Sequence, residues 1–131
     1  MTILYLIRGI PGSGKTTLAK ALVKAGLADI HREADQYFTD FDGRYEFDAN
    51  RLFEAHDWCF METREYLRKG KNVVVANTFT KDVYYNDYVV MAHDNDINVQ
   101  TYICMGSFKN IHGLSDQQVD SFRRQAWWHD R

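Results

Sequence analysis

Gly9-Ile10-Pro11-Gly12-Ser13-Gly14-Lys15-Thr16 is the stretch that decides the fold. It fits G-x-x-x-x-G-K-[ST], a pattern that needs a strand before it and a helix after it. Both flanks are present. Ile3-Leu4-Tyr5-Leu6-Ile7 is apolar at every position rather than at alternate ones, as in a strand covered on both faces of a parallel sheet. From Thr16 onward Leu18, Leu22 and Ala25 recur at helical spacing among good helix formers, and Gly26 supplies a stop. Glycines let backbone N–H groups converge on phosphate oxygens with no Cβ in the way, and the helix start adds the positive end of its dipole. Gly9, Pro11, Gly12, Ser13, Gly14, Lys15, Thr16 and Thr17 are therefore the expected nucleotide-binding residues. Lys15 is expected on the β- and γ-phosphates, and the Thr16 hydroxyl on the Mg²⁺ that bridges them. Ser13 either fills the loop or donates to phosphate. Arg8, at the strand's end, either adds to the field or packs.

Working outward, residues 30–34 read as a short second strand ending at Asp35, followed by an aromatic and acidic loop over 36–47. Asp48 is a good N-cap for a long helix over 49–69, with Leu52, His56, Cys59, Thr63 and Leu67 along one stripe and Gly70 at its end. Val73-Val74-Val75-Ala76 is a β-branched run that reads as another buried strand, with Asn77-Thr78 at its carboxyl end. A helix capped by Thr80 puts Tyr84, Tyr88 and Met91 on one face, and residues 98–105 read as a further strand. Ser115 and Gln118 form a capping-box pattern that opens a last helix over 115–127. Strands alternating with helices imply a parallel sheet with helices on its faces.

Composition fits this reading and excludes others. The 131 residues are 45% hydrophobic and 26% charged, ordinary values for one globular domain spanning 1–131. No apolar run approaches the roughly 20 residues of a membrane span, and no secretory signal follows Met1, so the expected location is the cytoplasm, away from membranes. Sixteen Lys and Arg against eighteen Asp and Glu give a net charge of -2, which argues against coating duplex nucleic acid while leaving room for contact with a strand end. Cys59 and Cys104 lack metal or disulfide spacing and read as buried free thiols.

Phosphate binding alone does not define a reaction, so the residues at the other strand ends carry the distinction. Asp35 ends the second strand, where a carboxylate can take a proton from an attacking hydroxyl and stand near the metal; the alternative is a turn or capping aspartate. After the third strand Ala76-Asn77 stands where an acid linked to magnesium is commonly found, which leaves Thr16 and Asp35 as the expected metal residues. Asn77 and Thr78 either bind substrate, orient Asp35, or simply make a turn. Tyr37, Phe38, Phe41, Tyr45 and Phe47 either stack on a nucleobase or pack in the core, and Asp40, Asp42, Glu46 and Asp48 among them repel phosphate. Trp127-Trp128 either packs on the sheet or forms a subunit contact.

The sequence resembles the polynucleotide 5′-kinase-like group of P-loop proteins, which also contains the zeta-toxin kinases and many short phage and eukaryotic ATP-binding domains. The resemblance rests on the glycine loop through Thr17, on Ala34-Asp35-Gln36-Tyr37-Phe38, Asp42-Gly43-Arg44-Tyr45-Glu46-Phe47, Glu54-Ala55-His56-Asp57-Trp58, Asn77-Thr78 and Lys109-Asn110-Ile111-His112-Gly113. It implies an α/β, three-layer P-loop NTPase fold, with a mainly parallel sheet flanked by helices and a small lid at about 106–114. It also implies Asp35 as general base and Lys15 as the phosphate-holding cation. Lys109 stands where the family has a lid arginine, a point charge in place of a bidentate fork, and Arg123 or Arg124 is expected to assist at the nucleotide. The implied activity is ATP- or GTP- and Mg²⁺-dependent phosphoryl transfer to a hydroxyl, with a polynucleotide 5′ end or a nucleotide-like small molecule as acceptor. The alternative is a nucleotide-binding regulatory module, or weak NTPase, acting on a protein partner.

Overall fold

In the computed structural model, which describes residues 2–79 and 82–105, the elements follow as β1 (Ile3–Gly9), α1 (Lys15–Lys24), β2 (Ile30–Arg32), α2 (Leu52–Arg68), β3 (Val73–Ala76), α3 (Asp82–Asp94) and β4 (Asn98–Cys104). The strands form one parallel sheet in the order β2-β3-β1-β4. The expected P-loop α/β architecture is what is found.

The continuous apolar runs are explained by two buried faces. Leu4, Leu6, Val73 and Val75 point to one side, onto Ala55, Cys59 and Leu67 of α2 and Tyr88, Met91 and Ala92 of α3. Tyr5, Ile7, Val74 and Ala76 point to the other, onto Ala19 and Leu22 of α1 and onto Ala28. Alternate residues of one strand thus serve opposite layers, so no position in the central strands is free to be polar except near the ends. Gly26, at φ 80, turns the chain after α1 as its stop signal implied.

Three boundaries differ from expectation. β2 ends at Arg32 rather than continuing to residue 34, because Ala34 gives its N–H to the Asn77 side-chain oxygen at 2.9 Å instead of extending the ladder. Ala34–Phe38 then form a 3-10 turn, so Asp35 lies inside that turn and not at a strand end. Asp48 does cap, accepting from Asn50 N–H at 3.0 Å, but what it caps is a 3-10 turn (Ala49–Arg51) that leads into α2. On the α2 stripe Ala55 replaces Leu52 and His56 as the buried first member, and Thr63 is accommodated by donating to the Cys59 carbonyl at 2.8 Å. β4 stops at Cys104, and both cysteines are free thiols.

The expected Thr80 cap, the lid at 106–114, the helix at 115–127, Lys109, Arg123, Arg124 and Trp127-Trp128 lie outside the described residues. Among the described residues no helix is long and apolar enough to cross a membrane.

Leu6 is fully enclosed between layers. Leu6→Ala is expected to lower stability by about 2–5 kcal/mol through lost transfer energy and the remaining cavity. Urea unfolding should show this as a lower midpoint at unchanged slope.

Candidate functional site

Parallel pairing aligns the carboxyl ends of the strands, and the register brings Gly9 beside Cys104 and Ile7 beside Ala76. The loop leaves the sheet at that edge. Gly12 and Gly14 have φ of 79 and 96, left-handed values that cost a side chain strain. Gly9 is needed for a different reason: a Cβ there would lie 2.3 Å from Ser13 Oγ and 3.0 Å from the Cys104 carbonyl oxygen.

Within the loop Ser13 N–H donates to the Ile10 carbonyl at 3.1 Å, and the Lys15 ammonium donates to the same oxygen at 2.9 Å. Burial pushes the Lys15 pKa down to about 8, against the opposing pull of Glu33 and then Cys104. Ser13 is buried, and its Oγ has no hydrogen-bond partner. Gly14 offers no side-chain cap to α1, and the first turn of α1 holds no acid. Unpaired N–H groups, a buried hydroxyl and a desolvated ammonium converge on one small region, and an anion satisfies all three. The residues present therefore fit a bound polyphosphate.

The carboxylate next to this cradle is Glu33, which sequence reasoning missed. Thr16 Oγ1 donates to it, at 2.9 Å from Oε1 and 3.0 Å from Oε2, and His31 Nε2 lies 2.7 Å from Oε2. Gln36 closes the turn by accepting from the Glu33 N–H at 3.1 Å. Asp35, the acid singled out from the sequence, is two residues farther on and exposed, and it engages a different group: Tyr45 donates its phenol proton to Asp35 Oδ1 at 2.8 Å. The structure gives no contact between Asp35 and Thr16. The only sequence signal for Glu33 was its position two residues before Asp35.

Asn77 is the buried joint. Its Oδ1 accepts from Ala34, between the two acids, while its own N–H donates to the Ile7 carbonyl at 3.2 Å. Arg8 is built into the packing: it is 2% exposed, donates to the Phe79 carbonyl at 2.7 Å, and lies 4.1 Å from the centre of the Tyr85 ring. Among the aromatic residues of the 37–47 loop, Phe38 belongs to the core and Tyr37 packs against Phe38 and Trp58, whereas Phe41 is 98% exposed. Pro11 is partly buried, and Thr17 is exposed on α1. Thr16 and Glu33 are hard oxygen donors of the kind that suit Mg²⁺. Among the described residues no group of three or more His, Cys, Asp and Glu side chains comes together as a metal cage.

A sequence profile of the AAA domain family matches residues 4–113, and the chain belongs to that family. NEDD4-binding protein 2 of Homo sapiens is 30% identical over 127 residues, an alignment covering 89% of this chain; the chain spans only 7% of that protein's length. Among solved structures, the Pnkp1/Rnl/Hen1 RNA repair complex aligns over 98% of this chain and 45% of its own, with a TM-score of 0.70 at 13% identity. The APS kinase CysC of Mycobacterium tuberculosis aligns over 95% and 96%, with a TM-score of 0.64 at 14% identity. Kti12 of Chaetomium thermophilum, in complex with ADP-AlF3, aligns over 94% and 79%, with a TM-score of 0.64 at 12% identity. At these identities the likeness is one of fold.

Gly9→Ala is expected to force Ser13 aside and to weaken ATP binding at least tenfold, on the order of 1.4 kcal/mol or more, while the thermal unfolding midpoint of the ligand-free protein moves by only a few degrees. Calorimetric titration with ATP checks it; wild-type affinity would remove the loop from the site.

Proposed function

We propose that this member of the AAA domain family binds ATP, or GTP, on the loop from Gly9 to Thr17 and transfers the γ-phosphoryl group to a hydroxyl. The acceptor is the 5′-hydroxyl of a polynucleotide or a nucleotide-like small molecule. One observation carries the reading: a phosphate cradle and a turn bearing two carboxylates are joined directly, through the hydrogen bonds of Thr16 to Glu33. A binding loop alone has no need of Asp35 at the same edge of the sheet. The fold shared with the RNA repair complex and with APS kinase supports phosphoryl transfer in general, and the former supports a nucleic-acid end as acceptor.

Lys15 would hold the β- and γ-phosphates, moving its ammonium from the Ile10 carbonyl to phosphate oxygen. Ser13 Oγ would donate to the same anion. The magnesium residues would be Thr16 and Glu33, and the ion, when bound, supplies charge neutralisation on the phosphates. Glu33 takes the metal-side part first assigned to Asp35 and so leaves Asp35 as the base. The acceptor hydroxyl gives its proton to Asp35 as its oxygen attacks, and the bond from the γ-phosphorus to the bridging oxygen breaks with its electron pair leaving on ADP. Lys109 over the transferred group and Arg123 at the nucleotide complete the proposal.

Labelled ATP with a panel of 5′-hydroxyl oligonucleotides, nucleosides and nucleoside monophosphates tests it. Asp35→Asn is expected to lower kcat by 10²- to 10⁴-fold, the usual worth of a general base, with nucleotide affinity kept. Transfer that survives this change would remove Asp35 as base. Tight ATP binding abolished by Lys15→Ala, with no transfer to any acceptor, would favour the regulatory module.

The lowered Lys15 pKa sets a pH window. The free protein loses the Lys15 proton as pH passes about 8, whereas the nucleotide-bound state retains it beside phosphate, so binding weakens as pH rises. Between pH 7 and 9 the affinity for ATP should fall about tenfold, and in Lys15→Arg this component should vanish because arginine keeps its proton.

A further inference from the structure

The hydroxyl nearest the proposed base is one of the protein's own. Tyr45 donates to Asp35 Oδ1 at 2.8 Å, and the backbone fixes the approach. Thr39 and Tyr45 form an antiparallel bridge, Glu46 N–H donates to the Phe38 carbonyl at 2.9 Å, and Asp40 N–H donates to the Arg44 carbonyl at 3.0 Å. Asp40 Oδ1 ties the tip by accepting from Asp42 N–H at 3.0 Å and Arg44 N–H at 2.9 Å, with Gly43 at φ 82 completing the turn. Phe47 anchors the returning strand on Phe38, ring centroids 5.2 Å apart. This small hairpin holds the Tyr45 backbone over the turn that carries Asp35. The ring itself is 51% exposed, so the phenol can leave toward solvent without opening the core.

An alcohol that is to be phosphorylated must present its O–H to the same carboxylate. We propose that Tyr45 is a stand-in for the acceptor: its phenol occupies the Asp35 oxygen that an acceptor hydroxyl must reach, and withholds that oxygen from water until an acceptor displaces it. This rests on the phosphoryl-transfer reading and adds a specificity device to it. Water in place of the acceptor would give its proton to Asp35, form the bond to the γ-phosphorus and release ADP and phosphate. A donor already on Oδ1 occupies that oxygen, so it cannot accept a proton from water until the phenol leaves. An acceptor with a neighbouring ring or sugar can offset the lost hydrogen bond with contacts of its own, whereas water cannot. The Tyr45 phenol is pushed up to about 12, by partial burial first and then by the carboxylate it donates to.

The test uses the full chain and Tyr45→Phe, which keeps the ring and removes the hydroxyl. With ATP and magnesium and no acceptor, Tyr45→Phe is expected to hydrolyse ATP about tenfold faster than the wild type, a fraction of the full effect of a general base. The double variant with Asp35→Asn should return to background, and for an accepted 5′-hydroxyl oligonucleotide KM should fall in Tyr45→Phe. Hydrolysis equal to or slower than wild type, where the wild type does transfer phosphate, overturns the gate and leaves the kinase reading standing. The contact has its own readout in ring-carbon NMR of labelled tyrosine. The Tyr45 signal, assigned by its loss in Tyr45→Phe, should titrate near 12 and move toward the usual 10 in Asp35→Asn. Titration at the ordinary value in the wild type overturns the proposal even without an activity. Normal titration with neither transfer nor hydrolysis from any variant overturns the kinase reading and the gate with it.

Discussion

The enclosure of β1 between β3 and β4, covered above and below by helices, governs where chemistry can occur in this protein. Both faces of the central strands are committed to apolar layers, and polar side chains there would lose hydration without recovering it. Functional groups are therefore gathered where the ladder ends. Gly9, Asn77 and Cys104 reach that edge because the parallel register sets them level, and Glu33 arrives there because β2 pairs with β3 only as far as Arg32. Asn77 converts this alignment into a fixed geometry. One buried amide joins the end of β3 to the turn bearing both acids, and losing either partner would strand a buried polar group at a cost of about 1–3 kcal/mol.

Glu33 and Asp35 are separated by a single alanine yet serve different neighbours. In an extended chain residues two apart point the same way, and both acids would have competed for one partner. The 3-10 turn removes that competition: at about three residues per turn it rotates the second side chain well away from the first. One acid reaches the Thr16 hydroxyl, and the other reaches Tyr45. Of the two acids only Glu33 acts electrostatically on the Lys15 ammonium, opposing the burial that lowers its pKa. The acidic residues of the 40–48 segment are exposed, as is the rest of that segment.

The parts of this arrangement that local chemistry dictates were legible in the sequence. Gly9-Ile10-Pro11-Gly12-Ser13-Gly14-Lys15-Thr16 announces its loop because glycine, lysine and threonine are each demanded by position, and Ile3-Leu4-Tyr5-Leu6-Ile7 announces a doubly covered strand because it lacks alternation. The parts set by distant contacts were not. Nothing within residues 30–36 says that Ala34 N–H will be taken by an amide 43 positions away, so the strand was expected to run on and Asp35 to end it. Glu33 was missed for the same reason, since its partner is 17 residues earlier in the chain. Local sequence does not decide whether Arg8 serves the field or the packing, because its burial beside Tyr85 depends on where α3 begins, which no short window reveals.

That arginine has one more implication. Phe79 is a bulky residue held at φ 51, a conformation that costs about 1–3 kcal/mol and persists only where surroundings enforce it. The guanidinium of Arg8 donates to the Phe79 carbonyl at 2.7 Å while it lies 4.1 Å from the centre of the Tyr85 ring, so the arginine is one of the groups that hold this bend. Loss of the cation would remove a buried charge-assisted hydrogen bond from the Phe79 carbonyl and a ring contact from Tyr85 at the same time. Residues 8, 79 and 85 thus form one physical unit at the carboxyl edge of the sheet, in which a substitution at one alters the surroundings of the other two.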